Sequence, residues 1–256
     1  MAELKSFIKK LYVAPEHSHK GQNGKLMVIG GSTQYHGAAV FSLLAARRFV
    51  DLLYFYPGEQ SPRLMDAVKN IPEVIVLDGL KYTAEMDAVL FGIGLGEAKF
   101  DLDFVLEYAR TIIADGDGLR LIKGRIPKGS ILTPHEGEFR MLFGMEGTKK
   151  NVEKMAGECQ CVIVKKDPVA DIISDGKRTV LNKIHNQGMT KGGTGDVLAG
   201  AIAAFACKND PFVAAVAGTY LNGYTGNLLT KRFGYNFCAS DLAEELAPAL
   251  FSIRKK

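Results

Sequence analysis

Leu26-Met27-Val28-Ile29, followed by Gly30-Gly31-Ser32 and then the helical pattern of residues 38–49, is the stretch that decides the fold. Four consecutive apolar residues describe a strand covered on both faces. The glycines make the turn, and Ala38, Phe41, Ala45 and Phe49 then recur on one helical stripe. The unit repeats outward along the chain. Strands are expected at 52–56, 74–76, 88–91, 111–114 and 130–132, with helices at 62–69, 102–110 and near 137–143. Strand and helix in alternation predict an α/β fold with a mainly parallel central sheet and helices on both faces. After the strand at 161–164 the pattern changes. Asp171 to Leu181 holds two short strands around Asp175-Gly176, hence a hairpin. Helices at 196–207, 211–230 and 240–251 follow, the last with Ser240 as N-cap.

The composition narrows the functional class. The chain has 256 residues, 47% of them hydrophobic, enough for a packed core in a single domain spanning residues 1–256. A net charge of +4 with dispersed basic residues suits small anionic ligands and argues against a nucleic-acid partner. No run of eighteen apolar residues suggests a membrane span, and no signal peptide is evident. Cys159 and Cys161 alternate onto one face of a strand but lack the companions of a zinc site. With Cys207 and Cys238 they read as reduced thiols of a cytoplasmic protein.

Parallel sheets of this kind bind ligands beyond the carboxyl ends of their strands. Gly30-Gly31-Ser32, Gly92-Ile93-Gly94-Leu95-Gly96, Asp115, Thr133-Pro134-His135-Glu136-Gly137-Glu138 and Lys165 all fall on that edge. Gly192-Gly193-Thr194-Gly195-Asp196 stands before an apolar helix, where main-chain N–H groups and the helix dipole attract a phosphate. An acid at the lip of such a cradle repels phosphate, so its use there is as a base that deprotonates a hydroxyl.

These motifs, with His19-Lys20-Gly21, Gly37-Ala38 and Asn186-Gln187-Gly188-Met189, occur in an order that resembles the ADP/ATP-dependent NAD(P)H-hydrate dehydratases. That family is a branch of the ribokinase-like superfamily, and the segment from Pro168 to Gly176 resembles its archaeal members. The resemblance implies a three-layer ribokinase-like fold and a repair reaction that returns hydrated NADH or NADPH to the intact cofactor. It implies that Asp196 is the base, and that Gly193, Thr194 and Gly195 hold the transferring phosphoryl group. Ala38, Gly94, Gly96 and His135 correspond to the hydrated-dinucleotide pocket, with Asp196 at its reacting end. Lys165 and Asp171 correspond to the nucleotide side, and Glu138 to an acid that orients Mg²⁺. ATP or ADP is the implied co-substrate, a homo-oligomer such as a tetramer the implied assembly, and a separate epimerase the implied pathway partner. The alternative within the fold is a kinase of a small hydroxylated metabolite. Departures from the family pattern are Ile93 and Gln187 for proline, Lys166 for glycine, and Asn222 and Asn227 where His and Asp are common. Lys191, beside the anion loop, is expected to be solvated.

Overall fold

The computed structural model describes residues 2–255. Nine strands make one sheet: β1 (Lys25–Gly30), β2 (Leu52–Pro57), β3 (Val74–Val76), β4 (Ala88–Phe91), β5 (Ile112–Ala114), β6 (Ile131–Leu132), β7 (Val162–Lys165), β8 (Asp171–Ser174) and β9 (Thr179–Asn182). Their order is β3-β2-β1-β4-β5-β6-β7-β8-β9. Pairing is parallel from β3 to β7, and β8 and β9 extend the sheet as an antiparallel hairpin.

Alternation along the strands divides the core into two layers. Leu26 and Val28 join one buried cluster, Met27 and Ile29 the other. The first is roofed by α1 (Ala2–Lys10), α2 (His36–Ala46), α3 (Pro62–Lys69), α8 (Thr194–Ala206), α9 (Pro211–Phe233) and α10 (Ala239–Lys255). The second is covered by α4 (Leu102–Tyr108), α5 (Asp117–Leu121), α6 (Glu136–Phe143) and α7 (Lys149–Cys159). This is the expected α/β arrangement of three layers. No helix among the described residues is long and apolar enough to cross a membrane.

Three helices escape the sequence pattern. In α7 only Val152 and Ala156 are buried, too few to reveal a stripe, and α1 and α5 are short. Cys159 closes α7 and Gln160 turns left-handed at φ 53°, so Cys159 and Cys161 do not share a strand face. Helix α10 already includes Ser240; the Cys238 N–H is bound by the Asp241 carboxylate at 2.8 Å instead of being followed by a serine cap. Helix α8 begins two residues before Asp196, with Gly193 as its cap.

Helices α2 and α8 cross at very short range. A β-carbon on Gly200 would lie 2.3 Å from the Ser42 carbonyl oxygen, and the Ser42 hydroxyl donates to the Asp196 carbonyl at 2.8 Å. The first turn of α8 is thereby fixed against the helix that follows β1.

Candidate active site

The strand order reverses between β1 and β4, which opens a crevice where their carboxyl ends diverge. A cleft of about 1250 Å³ lies there, lined by Ser32, Tyr35, Ala38, Gly94, Gly96 and Asp117. The Asp117 carboxylate accepts the Gly96 N–H at 2.8 Å and so shapes the loop after β4. Ala38, Gly94 and Gly96 therefore share one wall system, although Ala38 comes from a helix more than fifty residues earlier in the chain. A second cleft of about 670 Å³ is lined by His135, Lys166, Asp171, Gly195, Leu198 and Asn222 among others.

Asp196 occupies the first turn of α8 beside the second cleft's Thr194 and Gly195. Gly193 caps that helix at φ 92°, and a β-carbon there would come within 2.5 Å of Phe41 and 2.8 Å of Ala239. Only glycine fits both the dihedral and the space. The Val197 N–H closes the first helical bond onto the Gly193 carbonyl at 3.0 Å, so the amides of Gly195 and Asp196 have no helical acceptor. Thr194 differs from the expectation. Its N–H reaches the Lys191 carbonyl at 3.4 Å, and its hydroxyl binds the carbonyls of Met189 and Lys191 at 2.6 and 2.9 Å. Thr194 shapes the loop, and the amides left to meet an anion belong to its glycine neighbours and Asp196. Lys191 is exposed, as expected, and its ammonium also donates to the carbonyls of Tyr235 and Phe237, each at 2.7 Å.

Burial raises the Asp196 carboxyl to about 7, the nearby Asp115 charge adds to the shift, and Lys166 opposes it. A carboxylate tuned to neutrality is suited to take a proton from a hydroxyl. Asp115 itself is buried at the end of β5, accepting from the Thr133 hydroxyl at 2.7 Å and the Lys166 ammonium at 2.9 Å. Lys166 also lies 4.0 Å from Glu138. Burial works against the Lys166 charge, yet Asp115 and Glu138 outweigh it and hold the ammonium above the usual lysine value.

The remaining predicted residues serve the site's frame. The exposed His135 caps α6: its Nδ1 accepts the N–H groups of Gly137 and Glu138 at 3.0 and 3.2 Å. Glu138 answers by accepting the His135 N–H at 2.8 Å, which completes a capping box. Burial raises the Glu138 carboxyl, with Asp115 adding and Lys166 opposing. Lys165 lies in a separate place: its buried ammonium sits between Glu136 at 2.9 Å and Asp167 at 2.5 Å and borders a different cleft. Asp171 accepts from the Asp167 N–H at 3.1 Å and the Asn182 amide at 3.0 Å, at the edge of the 670 Å³ cleft.

A Mg²⁺ cage built by the protein alone does not fit these residues. No three His, Cys, Asp or Glu side chains converge as ligands among the described residues. Asp115 and Glu138 lie beside α8, and the Lys166 ammonium is already next to both, at 2.9 and 4.0 Å. Lys166 is also the functional candidate that the sequence order hides. It follows Lys165 directly, and alternation sends neighbouring side chains to opposite sides.

The sequence signature of the NAD(P)H-hydrate dehydratases matches residues 26–248. The chain belongs to the NAD(P)H-hydrate dehydratase family. Among its relatives, the ADP-dependent (S)-NAD(P)H-hydrate dehydratase of Cenarchaeum symbiosum is 37% identical, over 90% of this chain and 89% of its own length. The bifunctional NAD(P)H-hydrate repair enzyme Nnr of Methanocaldococcus jannaschii is 35% identical over 95% of this chain. The chain spans about half the length of the first of these curated relatives, the bifunctional ones, at 51% and 53%. Among solved structures, the ADP/ATP-dependent NAD(P)H-hydrate dehydratase of Bacillus subtilis, crystallized with ATP/Mg²⁺, superposes with a TM-score of 0.84 at 27% identity. That match covers 97% of each chain. The dehydratase family thus accounts for the ribokinase-like architecture.

Proposed function

We propose that this chain dehydrates hydrated NADH or NADPH at the expense of an adenine nucleotide. The observation that carries the reading is Asp196, a carboxyl poised near neutrality at the uncapped amides of α8. Asp196 takes the proton of the ring hydroxyl, and the hydroxyl oxygen forms a bond to the terminal phosphorus while the anhydride P–O bond breaks. The amides of Gly193, Gly195 and Asp196 hold the phosphoryl oxygens. The ring nitrogen then pushes out phosphate, and loss of a ring proton restores the double bond. Ala38, Gly94 and Gly96 line the dinucleotide cleft, and His135 borders the neighbouring cleft beside Gly195. Asp171 and Lys165 border the nucleotide side, Lys165 through the loop it braces. Glu138 would be the acid that orients any Mg²⁺ carried in by the nucleotide.

The archaeal relatives named for ADP support ADP as the phosphoryl donor and the S epimer as substrate. We further place the activity in one domain over residues 1–256, in a cytoplasmic homo-oligomer that works beside an epimerase. Purified protein given chemically hydrated NADH with ADP, and separately with ATP, should restore the near-ultraviolet absorbance of NADH. Lack of turnover with either nucleotide rejects the reading. A stable phosphorylated small metabolite would turn it toward a kinase.

A further inference from the structure

Lys166 is a charged group near the head of α8 to which the proposed reaction assigns no role. Its backbone is fixed by an N–H bond to the Pro134 carbonyl at 2.8 Å, and its side chain is 23% exposed. The ammonium carries three donors. Among the described residues, one has an acceptor within hydrogen-bond distance, Asp115 at 2.9 Å, since Glu138 stands off at 4.0 Å. The ammonium also lies 3.8 Å from where a β-carbon on Gly195 would be, and so borders the uncapped amides. Donors without acceptors and amides without acceptors therefore face one small space.

We propose that Lys166 is the resident cation of this site: its ammonium, and not a divalent ion held by protein carboxylates, neutralises Asp115 and Glu138 and meets the transferring phosphoryl group. The proposal rests on the phosphoryl-transfer reading for its last clause, but its first clause stands on the ion geometry alone. In the transfer step Lys166 keeps its proton throughout. The hydroxyl proton goes to Asp196, the oxygen–phosphorus bond forms, and the anhydride bond breaks toward the departing nucleotide. Two unclaimed N–H donors stabilise charge on the oxygens of the moving group. A lysine suits this better than an arginine, since a compact ammonium acts as a point charge while a guanidinium fork demands a planar partner.

The test is a Mn²⁺ titration of nucleotide-free protein followed by electron paramagnetic resonance, on wild type, Lys166→Met and Lys166→Arg. Wild type and Lys166→Arg should show no stoichiometric Mn²⁺ site. Lys166→Met, which leaves Asp115, Glu138 and Asp196 without their cation, should gain one. A stoichiometric Mn²⁺ site in the wild type that Glu138→Gln abolishes overturns the proposal, and this arm needs no variant at Lys166 to fold. In the hydrate assay Lys166→Met should lose at least about 100-fold in kcat, and Lys166→Arg less. Turnover by Lys166→Met within threefold of wild type overturns the phosphoryl contact. A chain inactive on every hydrate rejects the proposed reaction, while the Mn²⁺ titration still decides whether the ammonium fills the cation position.

Discussion

Two adjacent lysines, at the end of one strand, sit in clusters that behave oppositely. Lys165 is buried between Glu136 and Asp167, and it dominates both: its hydrogen bond lowers Glu136 to about 2 and holds Asp167 below the usual carboxylate range. Lys166 keeps its own charge beside Asp115, Glu138 and Asp196, but at two of these carboxyls burial outweighs its pull: Asp196 rises to about 7 and Glu138 is also raised. The difference is one of ratio and solvation. One ammonium satisfies two part-exposed carboxylates, but beside Asp115 it does not offset the burial of Glu138 and Asp196. The first arrangement is a brace, and the second leaves a base able to accept a proton near neutral pH.

The hardest blow to this contrast comes from Asp196→Asn. It should lower dehydratase turnover by about 10²–10⁴-fold while ADP still raises the melting temperature. In the wild type, kcat/KM should fall about tenfold per pH unit below about 7, as Asp196 becomes protonated. The same raised pKa has a stability counterpart. Between the ordinary value of 3.8 and about 7 the native state keeps a proton that the unfolded chain has released. Stability is therefore lost as pH rises through that window, by at most about 4 kcal/mol. Asp196→Asn should accordingly melt above wild type at pH 8, with the gain vanishing toward pH 4; an equal or lower melting temperature at pH 8 would contradict the desolvated base.

On the bracing side, Lys165→Met should cost about 1–3 kcal/mol in urea denaturation. That is less than a fully buried pair would lose, because Glu136 and Asp167 are 41% and 27% exposed. Glu136 has a depressed pKa, so its share is present above about 4.5 and is lost as pH falls toward 2. The stability gap between wild type and Lys165→Met should narrow across that acid range; a gap independent of pH would break the comparison. The smallest effect is expected from His135→Ala. Glu136 and Glu138 both occupy the first turn of α6, one serving each lysine, and His135 caps that turn. Loss of the cap should cost about 1 kcal/mol in the same denaturation assay.

The sheet was readable because buried parallel strands carry unbroken apolar runs, as in Ala88–Phe91, whose limits match the expectation; those of the edge strand Val74–Val76 match too, although Ile75 is exposed. The hairpin was readable from Asp175-Gly176. Helix α7 was not, because its packing rests on two small contacts with the core. The site was legible where function needs backbone, as in the glycines before Asp196, and much less so where it depends on side chains meeting across the fold. Asp115 and Lys166 are 51 residues apart, and their ion pair exists only because β5 and β7 end on the same edge. Nothing local tells which of two neighbouring lysines turns toward that partner. The part Thr194 plays in shaping the loop was hidden for a similar reason, since its N–H reaches a loop carbonyl that only the folded turn brings near.

Gly200 carries no reactive group and is buried, yet it sets the position of the base one turn away. With only 2.3 Å between its would-be β-carbon and the Ser42 carbonyl, any larger residue must prise the two helices apart. Asp196 would travel with its helix, while Ala38 stayed with the other. The alignment of proton acceptor and dinucleotide wall is thus kept by a spacer of a single hydrogen atom, and an alanine there would act as a wedge driven between catalyst and substrate.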